Sequence, residues 1–342
     1  LPGLTTGYGP SHQATEDLAI LRGCPNLTIV GSAVARYAND GAGMGVDVYC
    51  RDWQKMAEAA RVAAREMKLD FIQIASDLAR EAEGYGTKLK FSPDKLPTAV
   101  EYALDDISEV EKLHPLKTVE IPRLYDLVKA AEATVGDPDV DPMVLAVGPM
   151  TVAGNIRGVE NLMVDMFDDD ELVGRLLDVV TETTLDFVDR LAEVGVKYAY
   201  VADPVASLVS PAMYEELVLP RHKRIFSHMA EKGIVGRLHM CGNTLGILPY
   251  SSQSGAKIID VDHVVDFPKA IEAAQGRCIL NGNIDPVADV YSCGAAHTKE
   301  AILECAKRVG NQRAMFMPGC ELPTDTPIEN VLAIAEALQE LG

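Results

Sequence analysis

The 342-residue chain reads as an α/β protein, an eightfold β/α barrel of the TIM type with an N-terminal extension. Three observations predict this. Short apolar runs alternate with amphipathic helical stretches along most of the chain, the pattern of parallel strands joined by crossover helices. Nearly every apolar run is followed at once by a residue capable of chemistry, and β/α barrels build their active sites at the C-terminal ends of the strands. No Gly-rich dinucleotide fingerprint follows the first strand, which sets an open doubly wound sheet second.

Taken in order, residues 1–50 are rich in Gly and turn formers (GYGP, ANDGAGMG) and form an extension of the same domain that continues as the barrel over 51–342. DWQKMAEAARVAAREM carries apolar residues at helical spacing and leads into DFIQIASD, a buried-strand pattern ending in Asp77. Further strands are predicted near 142–147 (PMVLAV), 197–202 (KYAYVA), 235–240 (VGRLHM), 257–261 (KIIDV), 278–281 (CILN) and 313–317 (RAMFM). An additional strand around 86–91 brings the set to eight. Helices are predicted at about 120–134, 170–194, 211–232, 243–253, 266–275, 297–310 and 327–341.

Hydrophobic residues make up 48% of the chain, enough for a large core, and no apolar run approaches the ~20 residues a membrane span needs. A formal net charge of -20 argues against nucleic acid or an anionic membrane as partner, because no basic patch is present to neutralise phosphates. The seven cysteines are odd in number and scattered, and no signal peptide accompanies them, so a reduced cytoplasmic compartment is expected rather than a disulfide framework. The chain opens on Leu1, so native residues ahead of it are expected and targeting stays open.

His239 and Cys241 in RLHMCGNT, and Cys320 in FMPGCELP, each emerge just after a short apolar run. Zinc takes imidazole nitrogen and thiolate sulfur tetrahedrally, and three protein ligands with one open position is the catalytic arrangement. His-x-Cys alone is a weak signal among seven Cys and seven His, and a buried Cys beside a hydrogen-bonded His is the competing explanation. The other strand ends add weight: Asp77, Gly148-Pro149, Asp203, Asp262 with His263, and Asn281 with Asn283 and Asp285. Any one Asp or Asn is more often a helix cap or turn former. Their convergence favours a site containing zinc. Cys24, Cys50, Cys278, Cys293 and Cys305 lack ligand spacing and read as buried small residues.

From about residue 50 onward the chain resembles the uroporphyrinogen decarboxylase superfamily. The resemblance is carried by IASDL around Asp77, VGPMTVAGNIRG at 147–158, SPAMYEELVLPRHKRIF at 210–226, LHMCGN at 238–243, NGNIDP at 281–286 and GCELPTDTPIENV at 319–331. It implies a β/α barrel. Within the superfamily the decarboxylase branch fits less well. Its arginine-bearing RQAGRYLPEY motif is reduced here to Arg36-Tyr37 in VARYAND, and its C-terminal motif carries His where this chain has Cys320. The corrinoid-linked branch, similar to methylcobamide:coenzyme M methyltransferases, carries His-x-Cys and a distant Cys, which map onto His239, Cys241 and Cys320.

That resemblance implies zinc as cofactor and methyl transfer between a methylcobamide and a small thiol or other small molecule, the zinc turning the thiol into a nucleophilic thiolate. The Asp-x-His-x-x-Gly motif of cobalamin-binding modules is absent, so the corrinoid is expected to arrive on a partner protein. The Glu, Glu and His spacing of zinc-dependent aryl-ether demethylases is not found either. Asp77 aligns with the decarboxylase's catalytic aspartate and is expected to orient substrate or corrinoid. Glu83 is either a fourth ligand or proton acceptor, or a solvated carboxylate. Asp203 is the candidate for orienting His239. Asn281, Asn283 and His263 are candidates for the cofactor-facing mouth, although a capped turn explains His263 as well. Two alternatives remain: a metal-free uroporphyrinogen III decarboxylase, and a noncatalytic corrinoid-handling protein.

Overall fold

The computed structural model describes residues 45–341 apart from 70, 94, 311 and 324. Cys24, Arg36 and Tyr37 lie outside the described residues. Among the described residues nine strands follow one another: β1 (Ile72–Ile74), β2 (Lys88–Ser92), β3 (Lys95–Glu101), β4 (Pro142–Val147), β5 (Tyr198–Ala202), β6 (Val235–His239), β7 (Ile258–Asp260), β8 (Ile279–Ile284) and β9 (Ala314–Pro318). Seven of them form one parallel sheet in the order β1-β4-β5-β6-β7-β8-β9, curled as in a β/α barrel, with helices between successive strands. β4 is buried at every position, as strands covered on both faces must be, and burying each Val or Leu side chain contributes about 1.5–3 kcal/mol.

The helix Trp53–Glu66 begins where Asp52 accepts hydrogen bonds from the N–H groups of Gln54 (3.1 Å) and Lys55 (3.2 Å). It buries Met56, Ala57, Ala60, Ala63 and Ala64, a small-residue face, and the chain then enters β1. The helix Pro122–Thr134 starts on proline, which lacks the N–H that a first turn leaves unpaired.

Three expectations are corrected. Residues 86–91 do not supply an eighth barrel strand: β2 pairs antiparallel with β3 in a separate hairpin. Its KLKFS sequence alternates between more and less exposed positions, the mark of a ribbon with one wet face rather than of a buried parallel strand. The helix expected over 243–253 shrinks to Leu248–Ser251, because the chain beyond β6 first turns through Gly242 at φ +86°. The helix expected over 211–232 is broken into Pro211–Met213, a π-helical stretch Tyr214–Val218, and Leu219–Glu231. Pro220 has no N–H to give the preceding turn, so the bonding register slips there.

Candidate metal centre

His239 is the last residue of β6, and Cys241 follows on the loop that Gly242 turns back. The Gly242 N–H donates to Asp262 Oδ2 (2.7 Å), which ties this loop to the one after β7. Cys320 lies just past the end of β9, beyond Gly319. A Cβ at Gly319 would sit 2.3 Å from His263 N and 2.8 Å from the Asp262 carbonyl carbon, so only glycine lets the Cys320 loop cross the β7 loop this closely.

These three loops bring one nitrogen of His239 and the sulfurs of Cys241 and Cys320 within 4.8 Å of one another, and among the described residues no carboxylate joins the group. All three residues are buried. Donors on a zinc tetrahedron with 2.0–2.3 Å bonds stand about 3.4–3.8 Å apart, so a small contraction closes the site. His239 Nδ1 lies 2.9 Å from Asp260 Oδ2, while its Nε2 is buried without a hydrogen-bond partner. A buried polar atom left unpaired is costly and rare, and a metal is what such an atom accommodates. The donor set therefore fits zinc.

The electrostatics agree. The hydrogen bond with Cys241, then burial, then the charge of Cys241 and of Asp262 push the Cys320 thiol well above its ordinary value. A dication bound beside it would stabilise the thiolate instead. Burial alone would raise the Asp260 carboxyl, but the Arg237 guanidinium and the His239 hydrogen bond outweigh it and pull its pKa down to about 2.

The remaining predicted residues fall into separate networks. Asp203 does not orient the His239 ring. The register sets Ala202 against His239, so Asp203 lies one residue beyond, and only its backbone N–H meets His239, donating to the carbonyl at 2.9 Å. Its carboxylate instead accepts from Thr151 N (2.7 Å), Thr151 Oγ1 (2.8 Å) and Met150 N (3.3 Å), capping the helix Pro149–Arg157, and reaches His222 Nε2 (3.0 Å). Tyr214 Oη lies 2.8 Å from His222 Nδ1, which completes a buried chain of three side chains. The carboxylate that meets the His239 ring belongs instead to Asp260, which the sequence did not single out.

Asp77 is buried and paired with Arg123, whose Nε donates to Glu83 Oε2 at 2.6 Å. Glu83 is thus engaged by Arg123 and absent from the group of metal-capable donors. Arg123 also lies 5.1 Å from the ring centroid of Phe91 on β2, so the hairpin packs over this cluster. Asn281 Nδ2 donates to Asp260 Oδ1 (2.7 Å), and Asn283 Nδ2 donates to the carbonyls of Val265 (2.6 Å) and Asp262 (3.2 Å). The amide donors of both asparagines are therefore held within the protein. His263 stands between Asp262 Oδ1 (2.6 Å) and Asp285 Oδ2 (3.5 Å). Cys50 and Cys305 are buried as expected, whereas Cys278 and Cys293 are half-buried.

Fold and site together define a β/α-barrel protein with a buried His-Cys-Cys donor set at its C-terminal strand ends. The chain belongs to the uroporphyrinogen decarboxylase family, whose model, uroporphyrinogen decarboxylase (URO-D), matches residues 25–341. It is 27% identical over 293 residues to the methylcobamide:CoM methyltransferase MtbA of Methanosarcina acetivorans, covering 83% of this chain and 84% of that protein. It is 30% identical over 300 residues to a methylated-thiol–coenzyme M methyltransferase of Methanosarcina mazei, covering 84% of this chain and 77% of that one. A uroporphyrinogen decarboxylase of Carboxydothermus hydrogenoformans is 25% identical over 302 residues, covering 86% and 85%. Among solved structures, a methyltransferase from Methanosarcina mazei superposes with a TM-score of 0.77 at 22% identity over 94% of each chain, a likeness of fold. Among the described residues no helix is long and apolar enough to cross a membrane.

Proposed function

We propose that the protein is a zinc-dependent methyltransferase that moves a methyl group between a corrinoid carried by a partner protein and a small thiol or other small molecule. One observation carries the reading: His239, Cys241 and Cys320 converge within 4.8 Å, with the His239 Nε2 buried and unpartnered. Relatives named as methylcobamide:CoM and methylated-thiol–coenzyme M methyltransferases support it.

His239 Nε2, Cys241 Sγ and Cys320 Sγ would hold the metal, which when bound supplies a Lewis acid that lowers the proton affinity of a thiol. Three protein donors leave a fourth position for the small molecule. Two of the three are sulfurs, which keep electron density high so that an incoming thiolate stays nucleophilic; a set of neutral ligands would suit water activation better. Burial of all three donors would limit the access of bulk water to a metal held there. We assign Asp77 and Glu83 to positioning Arg123 rather than to proton transfer, since both carboxylates are paired with its guanidinium. The buried free-thiol donors, which must stay reduced to hold a metal, suit a cytoplasmic setting.

Metal analysis and activity test this together. Purified protein is expected to hold about one zinc per chain, Cys241→Ala and Cys320→Ala are expected to lose it, and methylcobalamin with a panel of thiols is expected to give metal-dependent methyl transfer. Full zinc retention by both variants refutes the ligand assignment. Zinc binding without transfer to any thiol favours the noncatalytic corrinoid-handling protein.

A further inference from the structure

His239 and Arg237 lie two residues apart on β6 and so share one face of the strand. Both reach Asp260, at the end of β7. Arg237 Nε donates to Asp260 Oδ1 (2.8 Å) and Oδ2 (3.0 Å), and Arg237 Nη2 donates to Oδ2 (2.8 Å). From the other side Asn281, the register partner of Asp260 on β8, donates to Oδ1 at 2.7 Å. Arg237 and Asn281 both also touch Met317 Sδ on β9, the strand that leads to Cys320. A polar ladder therefore crosses four adjacent strands, and all of Arg237, His239, Asp260 and Asn281 are at least nine-tenths buried.

We infer that Asp260, gripped by Arg237 and Asn281, is the positioning residue that fixes His239 in the Nδ1–H tautomer and so keeps the Nε2 lone pair free for the metal. Arg237 and Asn281 offer Asp260 only donors, so its carboxylate acts as an acceptor and His239 Nδ1 must supply the proton between them. Which imidazole nitrogen a metal meets is set by the hydrogen bond the other one makes. The bidentate Arg237 contact balances the carboxylate charge and fixes its plane, which a lone Asp in a barrel interior would lack. The ring is thereby held in ligand geometry before any metal arrives. The use of this arrangement rests on the zinc reading; the tautomer does not.

The test is carried out on the full chain. Nitrogen-15 NMR of the metal-free wild type is expected to show His239 protonated at Nδ1 at neutral pH. Competition with a chromogenic chelator is expected to show zinc held about 10- to 100-fold less tightly by Asp260→Asn, the usual effect of losing such a support. The variant's cobalt(II) form is expected to show shifted thiolate charge-transfer bands. Tyr214→Phe, which removes a buried hydrogen bond in the separate Asp203 network, serves as control and is expected to leave both signals unchanged. An Nε2–H tautomer in the wild type overturns the inference without recourse to any variant, and so does wild-type zinc affinity in Asp260→Asn. An Nδ1–H tautomer in a wild type that binds no zinc upholds the positioning role and retires the metal reading instead.

Discussion

Replacing Gly319 by alanine is expected to abolish zinc binding while leaving the barrel folded. The added Cβ would lie 2.3 Å from His263 N, 2.8 Å from Asp262 C and 3.0 Å from Asp262 Cα, all backbone atoms that no rotamer change can move. Ordinary contact begins near 3.4 Å, so the two loops must part by about 1 Å. Crowding of this kind costs about 1–3 kcal/mol, which a chain with this much buried core withstands. The metal is far less tolerant, because bond lengths at such a site hold to within about 0.2 Å. Zinc per chain, measured after dialysis against a weak chelator, should fall from one to near zero, with far-UV circular dichroism unchanged. Gly294→Ala is the control, since nothing lies within 4 Å of the Cβ it would add. Stoichiometric zinc in Gly319→Ala, with wild-type affinity, would refute the argument that the loop crossing sets the place of Cys320.

Tyr214→Phe leaves His222 Nδ1 buried without a partner, and urea unfolding should show a loss of about 1–3 kcal/mol at unchanged zinc content. Arg123→Met strands Asp77 in the interior at a cost of about 3–5 kcal/mol near neutral pH. In the wild type, burial would raise the Asp77 carboxyl but Arg123 wins and lowers it, so this pair's stabilisation is present above about pH 4 and is lost as pH falls through the lowered folded value. Without Arg123, burial prevails and the carboxyl takes up its proton at a higher pH; unfolding midpoints of wild type and variant should therefore converge on acidification, and a gap that is constant with pH contradicts this. Reduced uroporphyrinogen III, offered anaerobically, should yield no coproporphyrinogen, because Cys320 stands where the decarboxylase motif has His; robust turnover would put that activity first.

The strand-end rule made the centre legible, since His239, Cys241 and Cys320 could be read as residues that follow apolar runs. What it missed lies inside the runs. Arg237 in VGRLHM and Asp260 in KIIDV are opposite charges within strands that the fold buries on both faces, and two such charges on neighbouring strands must meet or be left uncompensated. That was the available signal for the residue that orients His239. Asp203 misled because position at a strand end says nothing about which way a carboxylate turns, and here the unpaired N–H groups of Met150 and Thr151 claim it. The hairpin at Lys88–Glu101 misled for a different reason: KLKF has strand propensity, but its two lysines announce a solvent-facing ribbon rather than a barrel stave.

The separation of Cys320 from His239 and Cys241 along the chain has a consequence for how the protein is made. The first two donors leave the ribosome with β6, and the third only after β7, β8, β9 and their helices have followed. A nascent chain that has reached β8 presents two donors, too few to hold a zinc ion firmly against cellular competitors. Tight binding would begin only when the ninth strand docks and carries Cys320 across the β7 loop, and a bound ion would from then on hold the ends of β6 and β9 together and oppose their separation by mass action. On the zinc reading, metal uptake would thus report that the chain has closed as far as β9.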